Sequence, residues 1–388
     1  VKLGFQNTKI HLNPTELNLV VKLQNPKILF KEDGFILSRL DLFLSLKSFF
    51  TSDFLLKRAE ISFAENDIKD LTKITNIFLP KIINKKLNKI FHKGKLEGEF
   101  VVPFDLNGEI GKDYGFSGKI FDASINLTKE FSLKNLTTEV NHKDDEFMII
   151  IKKGSIYDIE LEDSTINLKR NKNIIKIESI LKTKGKLNFS QINQISKLLD
   201  LNVNNFKNIN GIADLKTKIN FDVNKKYRIK NFSYLTEGDI PYLEIETEKQ
   251  DTIRKYLPEY DPKVVIKDNK IKFSNSNVNQ TLLLTGSIKA KDYFNNFEIS
   301  ETYNYNDKSY DINGNIDLTN SKVKISRLNY NKNYGKKSKI NFDIKFILGR
   351  YFNIKNLNFL AGKSKIVLSN IKLNKNFEVN DFEKIEIK

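Results

Sequence analysis

The chain has 388 residues, no Cys and a formal charge of +17. The lack of Cys excludes disulfide staples and thiolate chemistry, and no run of about 18 apolar residues marks a transmembrane helix. Hydrophobic residues make up 39 % of the chain; ordinary globular domains carry roughly 45–50 %, so the composition suits a sheet with one apolar face better than a thick layered core.

The positive charge has a compositional source. Lys, Asn and Ile are all abundant, and many Lys alternate with apolar residues, as in SKINFDIKF. Such Lys belong to the wet faces of strands rather than to a phosphate-reading patch, and Arg forms no cluster. No nucleic-acid partner is expected. The sequence opens on Val1 rather than Met, which predicts a fragment or a processed product, with any membrane anchor outside it.

Residues 1–64 read as a run of strands. Leu17, Leu19, Val21 and Leu23 share one parity, and Asp33-Gly34 is a hairpin signal between KILFKE and FILSRLDLFLSL. Ile36 and Leu40 are expected to face the core from the second of these strands. Residues 66–92 change period: Ile68, Leu71, Ile74, Ile77 and Phe78 fall mostly three apart, as on a helix face. Asn66 is the expected N-cap, Pro80 the start of a second short helix, and Gly94 the stop.

From residue 95 to 388 the strand rhythm returns. Two minor helical inserts interrupt it. The first is expected over 190–201, with Ser190 as cap and Ile192, Ile195, Leu198 and Leu199 on one face; the second over 248–257, ended by Pro258. No Pro-rich hinge divides the chain, so residues 1–388 are expected to form one continuous elongated β architecture.

One phrase repeats. In the stretch 97–127, Phe116, Gly118 and Ile120 share a parity that then slips to Phe121, Ala123, Ile125 and Leu127. A slip beside Gly118 predicts a bulge or bend. The same alternation gives Leu215, Ile219 and Phe221; then Leu282, Leu284 and Ile288; then Ile316 and Leu318; then Ile340, Phe342, Ile344 and Phe346. Together with Phe116, Ile120, Ala123, Ile125 and Leu127 these residues are the candidate lining of an apolar groove. The alternation alone also fits an ordinary sandwich core.

Residues for chemistry are sparse. His11, His92 and His142 have no second ligand at metal spacing. Asp144-Asp145-Glu146 reads as a solvated turn before a strand. Ser190 and Ser233 lack a G-x-S-x-G context, and Gly111, Gly115 and Gly118 lead to no G-K-S or G-K-T. The expectation is a protein that is not an enzyme, with no metal and no cofactor.

The first third of the chain resembles a known family. Strands around Asn25-Pro26 lead to LSRLDLFLSL and then LLKRAEIS, as at the start of AsmA-like envelope proteins. IKDLTKITNIFLPKIINKKLNKIFHKGKLEGEFVVPFDLNG is similar to the helix, "LP", helix passage of the YhdP branch, and GFSGKIFDASINLTKEFSLKNL to the strand-turn-strand after it. The resemblance covers residues 10–140 best. It implies a long twisted antiparallel sheet, curved like a taco into an apolar groove. It also implies a non-enzymatic, periplasmic bridge-like carrier of phospholipid or another acyl-chain lipid, anchored in the inner membrane and meeting an outer-membrane partner. At about 4.8 Å per strand, some twenty strands would make a sheet on the order of 100 Å long. The competing expectation is a structural or adhesive extracytoplasmic β-sandwich.

Overall fold

The computed structural model describes residues 2–388 apart from 31–32, 50–54, 71–90, 112, 127–131, 172, 199–205, 227, 248–256, 258–260, 291, 348–349 and 375–377. About 78 % of it is strand, against 20–25 % in an average globular protein, so the fold is mainly β. Two compact units are present: residues 1–181 with 222–228, and residues 182–221 with 229–388.

The first unit contains β1 (Lys2–Gly4), β2 (Asn7–Asn13), β3 (Asn18–Gln24), β4 (Lys27–Phe30), β5 (Asp33–Ser45), β6 (Leu56–Asp67), β7 (Phe91–Pro103), β8 (Gly115–Asn126), β9 (Ser132–Lys143), β10 (Glu146–Ile156) and β11 (Ile159–Asn171). The ladders β2–β3, β3–β5 and β5–β6 are antiparallel. From β6 to β11 each strand pairs antiparallel with the next. β1 pairs with β4, and β4 with the start of β5. The chain then passes through β12 (Ile174–Asn188).

The second unit holds α1 (Phe189–Leu198), β13 (Phe206–Asn224), β14 (Ile229–Thr247), β15 (Lys263–Asn275), β16 (Asn279–Ala290), β17 (Tyr293–Asn304) and β18 (Ser309–Asp317). After a short antiparallel pair, β19 (Val323–Ile325) and β20 (Tyr330–Lys332), come β21 (Ser338–Ile347), β22 (Tyr351–Ala361), β23 (Ser364–Leu373), β24 (Val379–Asp381) and β25 (Lys384–Ile387). β14 to β18 pair in sequence, β18 pairs with β21 across the β19–β20 excursion, and β21 to β23 continue. As expected, the strands belong to one long antiparallel sheet, and it is not closed into a barrel.

Several local expectations are corrected. Asp33 and Gly34 are not the hairpin turn: they lie in β5, opposite Phe30 and Leu29. Ile36 is 49 % exposed while Phe35, Leu37 and Leu40 are buried. A register shift between Leu37 and Arg39 explains this, because one extra residue flips the parity of the strand. Asn66 does not cap a helix. It lies in β6, where its amide donates to the Ile36 carbonyl at 3.0 Å and accepts from the Ile36 N–H at 2.9 Å. The helical turn at 68–70 is capped by Asp67, whose Oδ1 accepts from the Lys69 N–H at 2.8 Å. Gly94 lies inside β7 rather than at a helix end. Phe91 and His92 begin β7 rather than end a helix; residues 71–90, including Pro80, lie outside the described residues, as does nearly all of 248–257.

The middle insert is a helix over Phe189–Leu198, and Asn188 rather than Ser190 is its cap. Asn188 Oδ1 accepts from the Gln191 N–H at 3.0 Å, and Gln191 Oε1 accepts from the Asn188 N–H at 3.2 Å. Two helix-end donors are satisfied reciprocally, as in a capping box.

Candidate functional site

Residues opposite one another in an antiparallel ladder project to the same side of the sheet. The ladders of the second unit therefore assemble the alternating residues into rows. Leu284 lies opposite Ile271 on one side and Ile299 on the other. The row continues through Gly314, Phe342, Leu357 and Leu368. A neighbouring row runs from Phe273 through Leu282, Glu301, Ile312, Ile344 and Ile354 to Ile371. On one side of this pair of rows is an aromatic row: Tyr303, Tyr310, Phe346 and Phe352, with successive ring centroids 4.6, 4.9 and 5.8 Å apart. On the other side Gly286, Phe297, Ile316, Ile340, Phe359 and Ile366 follow one another. β13 brings Leu215, Ile219 and Phe221 to the same face, because Thr217, of their parity, has its Oγ1 3.0 Å from that of Thr236; Thr236 lies opposite Phe273.

These side chains are shielded by their row neighbours but remain half-buried. That holds for Leu215, Ile219, Phe221, Leu282, Leu284, Ile288, Ile316, Leu318, Ile340, Phe342, Ile344 and Phe346. Glycine has a packing role within the rows. A Cβ on Gly314 would stand 2.9 Å from the ring of Phe342 directly opposite, so the ring lies down over the backbone there. The same relation joins Gly98 to Phe63 in the first unit.

One end of the second unit's face is covered. Val323 packs with Phe359 and Ala361, and Leu257, Leu318, Ile325, Tyr330 and Ile340 surround them. Leu318 and Ile340 thus belong to a closed corner. Lys332 holds this corner from within: it is fully buried, and its Nζ donates to the carbonyls of Leu318, Thr319, Ser321 and Asn333 at 2.6–3.1 Å. Beside it opens a concavity of about 780 Å³, with Ile288, Ile316 and Leu318 among its apolar walls and Lys267, Lys289 and Lys322 among its polar ones.

The first unit repeats the arrangement with tighter burial. Leu23, Leu40, Ile61, Phe100, Phe116, His142, Phe147 and Leu168 make one continuous row. Phe100 and Phe116 are 4.5 Å apart, and the His142 ring stacks on Tyr114 at 4.7 Å. Phe116, Ile120 and Ile125 are half-buried, whereas Ala123 is completely buried with Leu136, Ile151 and Leu161. The parity slip expected near Gly118 falls between Ile120 and Ala123, at Asp122 with φ +46°. It keeps Ile120 and Ala123 in contact with the same cluster. Leu127 lies outside the described residues.

The buried clusters of the first unit join side chains from ladder neighbours on one face, not from two opposed sheets. The alternation alone did not identify Ile299, Ile354, Leu357 and Ile371 as face residues. In β22 the signal is broken by a register shift at Ile354, where Lys355 is the extra residue.

Among the described residues no group of three or more His, Cys, Asp and Glu could hold a metal ion, and no helix is long and apolar enough to cross a membrane. No protein-family model, no curated protein and no solved structure matches this chain.

Proposed function

We propose that the protein binds acyl-chain lipid along these apolar sheet faces and conducts it, without chemistry, as a carrier of the bacterial envelope. The observation that carries the reading is the half-burial of continuous apolar rows across consecutive strands. A sandwich would cover such rows with a second sheet about 10 Å away and bury them. Among the described residues of the second unit, the corner under β19–β20 is the part closed in that manner.

The energetics suit hydrocarbon. Each CH₂ removed from water contributes roughly 0.8 kcal/mol, so an acyl chain of ordinary length is held by any sufficiently long apolar strip. The eight strands β14–β18 and β21–β23, spaced about 4.8 Å apart, give a strip of roughly 34 Å. Adjacent rows have nearly equivalent composition, so displacement of a chain from one to the next costs little. Binding of this kind needs no catalytic group and no specific pocket.

The resemblance to AsmA-like envelope proteins of the YhdP branch supports a more particular version. In it the cargo is phospholipid, the site of action is the periplasm between inner and outer membranes, and the inner-membrane anchor lies outside these residues.

Organic extraction of the purified protein, with the extract analysed by mass spectrometry, tests the reading. Phospholipid or other acyl lipid in amounts comparable to the protein is expected. Lipid-free extracts from folded protein that also takes up none from vesicles would count against it.

A further inference from the structure

Glu301 is the one charged side chain on the four rows that cross β15–β18 and β21–β23. Its ladder neighbours are Leu282 and Ile312, and Ile299 and Tyr303 flank it along β17. It is half-buried, and among the described residues it makes no hydrogen bond or ion pair. Among the described residues the other titratable groups facing it are the Tyr303 and Tyr310 hydroxyls, and no Lys or Arg occupies these rows. Burial pushes its carboxyl above the usual carboxylate range. An ionised carboxylate on an apolar surface is costly without a counter-charge, and the described residues supply none here.

We propose that Glu301 is a ligand-binding group that pairs with the primary ammonium of an amphiphile whose hydrocarbon tail lies along Leu284, Ile299 and Phe342. This rests on the acyl-binding reading and adds the charge of the headgroup. A carboxylate–ammonium contact in such surroundings is a charge-assisted hydrogen bond, stronger than a neutral one. A dodecyl tail extends over several strand spacings of about 4.8 Å, so head and tail reach Glu301 and the adjacent row together. The net charge of +17 favours anions. A preference for a cation is therefore a local property of Glu301 and separable from the charge of the whole chain.

Calorimetric titration of the full chain with dodecylammonium, dodecanol and dodecanoate, each below its micelle concentration, tests the assignment. The wild type is expected to bind dodecylammonium about tenfold more tightly than dodecanol. Glu301→Gln is expected to bring the dodecylammonium affinity down to that of dodecanol. Glu301→Leu, which suits the apolar face and stays folded, is expected to do the same. Equal dodecylammonium affinity in wild type and both variants overturns the role of Glu301 while leaving acyl binding intact. Failure of the wild type to bind any of the three amphiphiles overturns the acyl-binding reading itself, and this assignment with it.

Discussion

The side chain of Asn269 lies over Gly286, in the space where a Cβ on the glycine would stand 2.7 Å from the Asn269 Cγ. A register shift between Lys267 and Lys270, with Asp268 at φ +53°, turns Asn269 inward. Its Nδ2 donates to the Ile240 carbonyl at 3.1 Å. A polar residue at the bulge thus packs into the apolar face because the neighbouring strand offers a glycine.

Gly286→Ala should destabilise the second unit by about 1–3 kcal/mol through overpacking. Combined with Asn269→Ala, which vacates the space, its additional cost should largely disappear. Denaturant unfolding of both single variants and the double variant checks this, since residues in direct contact show coupling and independent ones add. Purely additive losses would contradict the packing.

Asn188→Ala should cost about 1 kcal/mol by removing the α1 cap, whereas Ser190→Ala should change stability by less than about 0.5 kcal/mol. Thermal or urea unfolding distinguishes the two. The larger effect at Ser190 would contradict the observed hydrogen bonds of Asn188 and Gln191.

Glu301→Gln should raise the melting temperature at pH 8, and the gain should shrink as the pH is lowered toward 4. The sign follows from linkage. The carboxyl is shifted up in the folded protein, so between its unfolded and folded values the native state holds more proton than the unfolded state. Stability from this group is therefore present at low pH and lost as pH rises through the folded value. Scanning calorimetry of wild type and variant across that range gives the answer; a gain that is constant with pH would contradict it.

Alternation made the strands legible. Leu282, Leu284, Phe342 and Ile344 follow the period of two, and the ladders place them on one face. Bulges hid the rest. Ile36 points away from the core because the shift after Leu37 reverses parity, and Lys355 interrupts β22 between Ile354 and Leu357. Glu301 has the parity of Phe297, Ile299 and Tyr303, but an acidic residue inside an apolar phase reads as the end of the phase. The cap at Asn188 had a signal, Asn followed three residues later by Gln, which Ser190 obscured. Which residues stand opposite one another depends on register, and register is set by long-range pairing that a single strand does not encode.

The most direct test is photo-crosslinking with a phospholipid that carries a photoactivatable group midway along one acyl chain, followed by peptide mapping. The account predicts adducts on the apolar rows, at Leu284, Ile299, Phe342 and Ile344. Adducts confined to the opposite, Lys-bearing side of these strands, or none on a protein that retains its β-sheet spectrum, would contradict it.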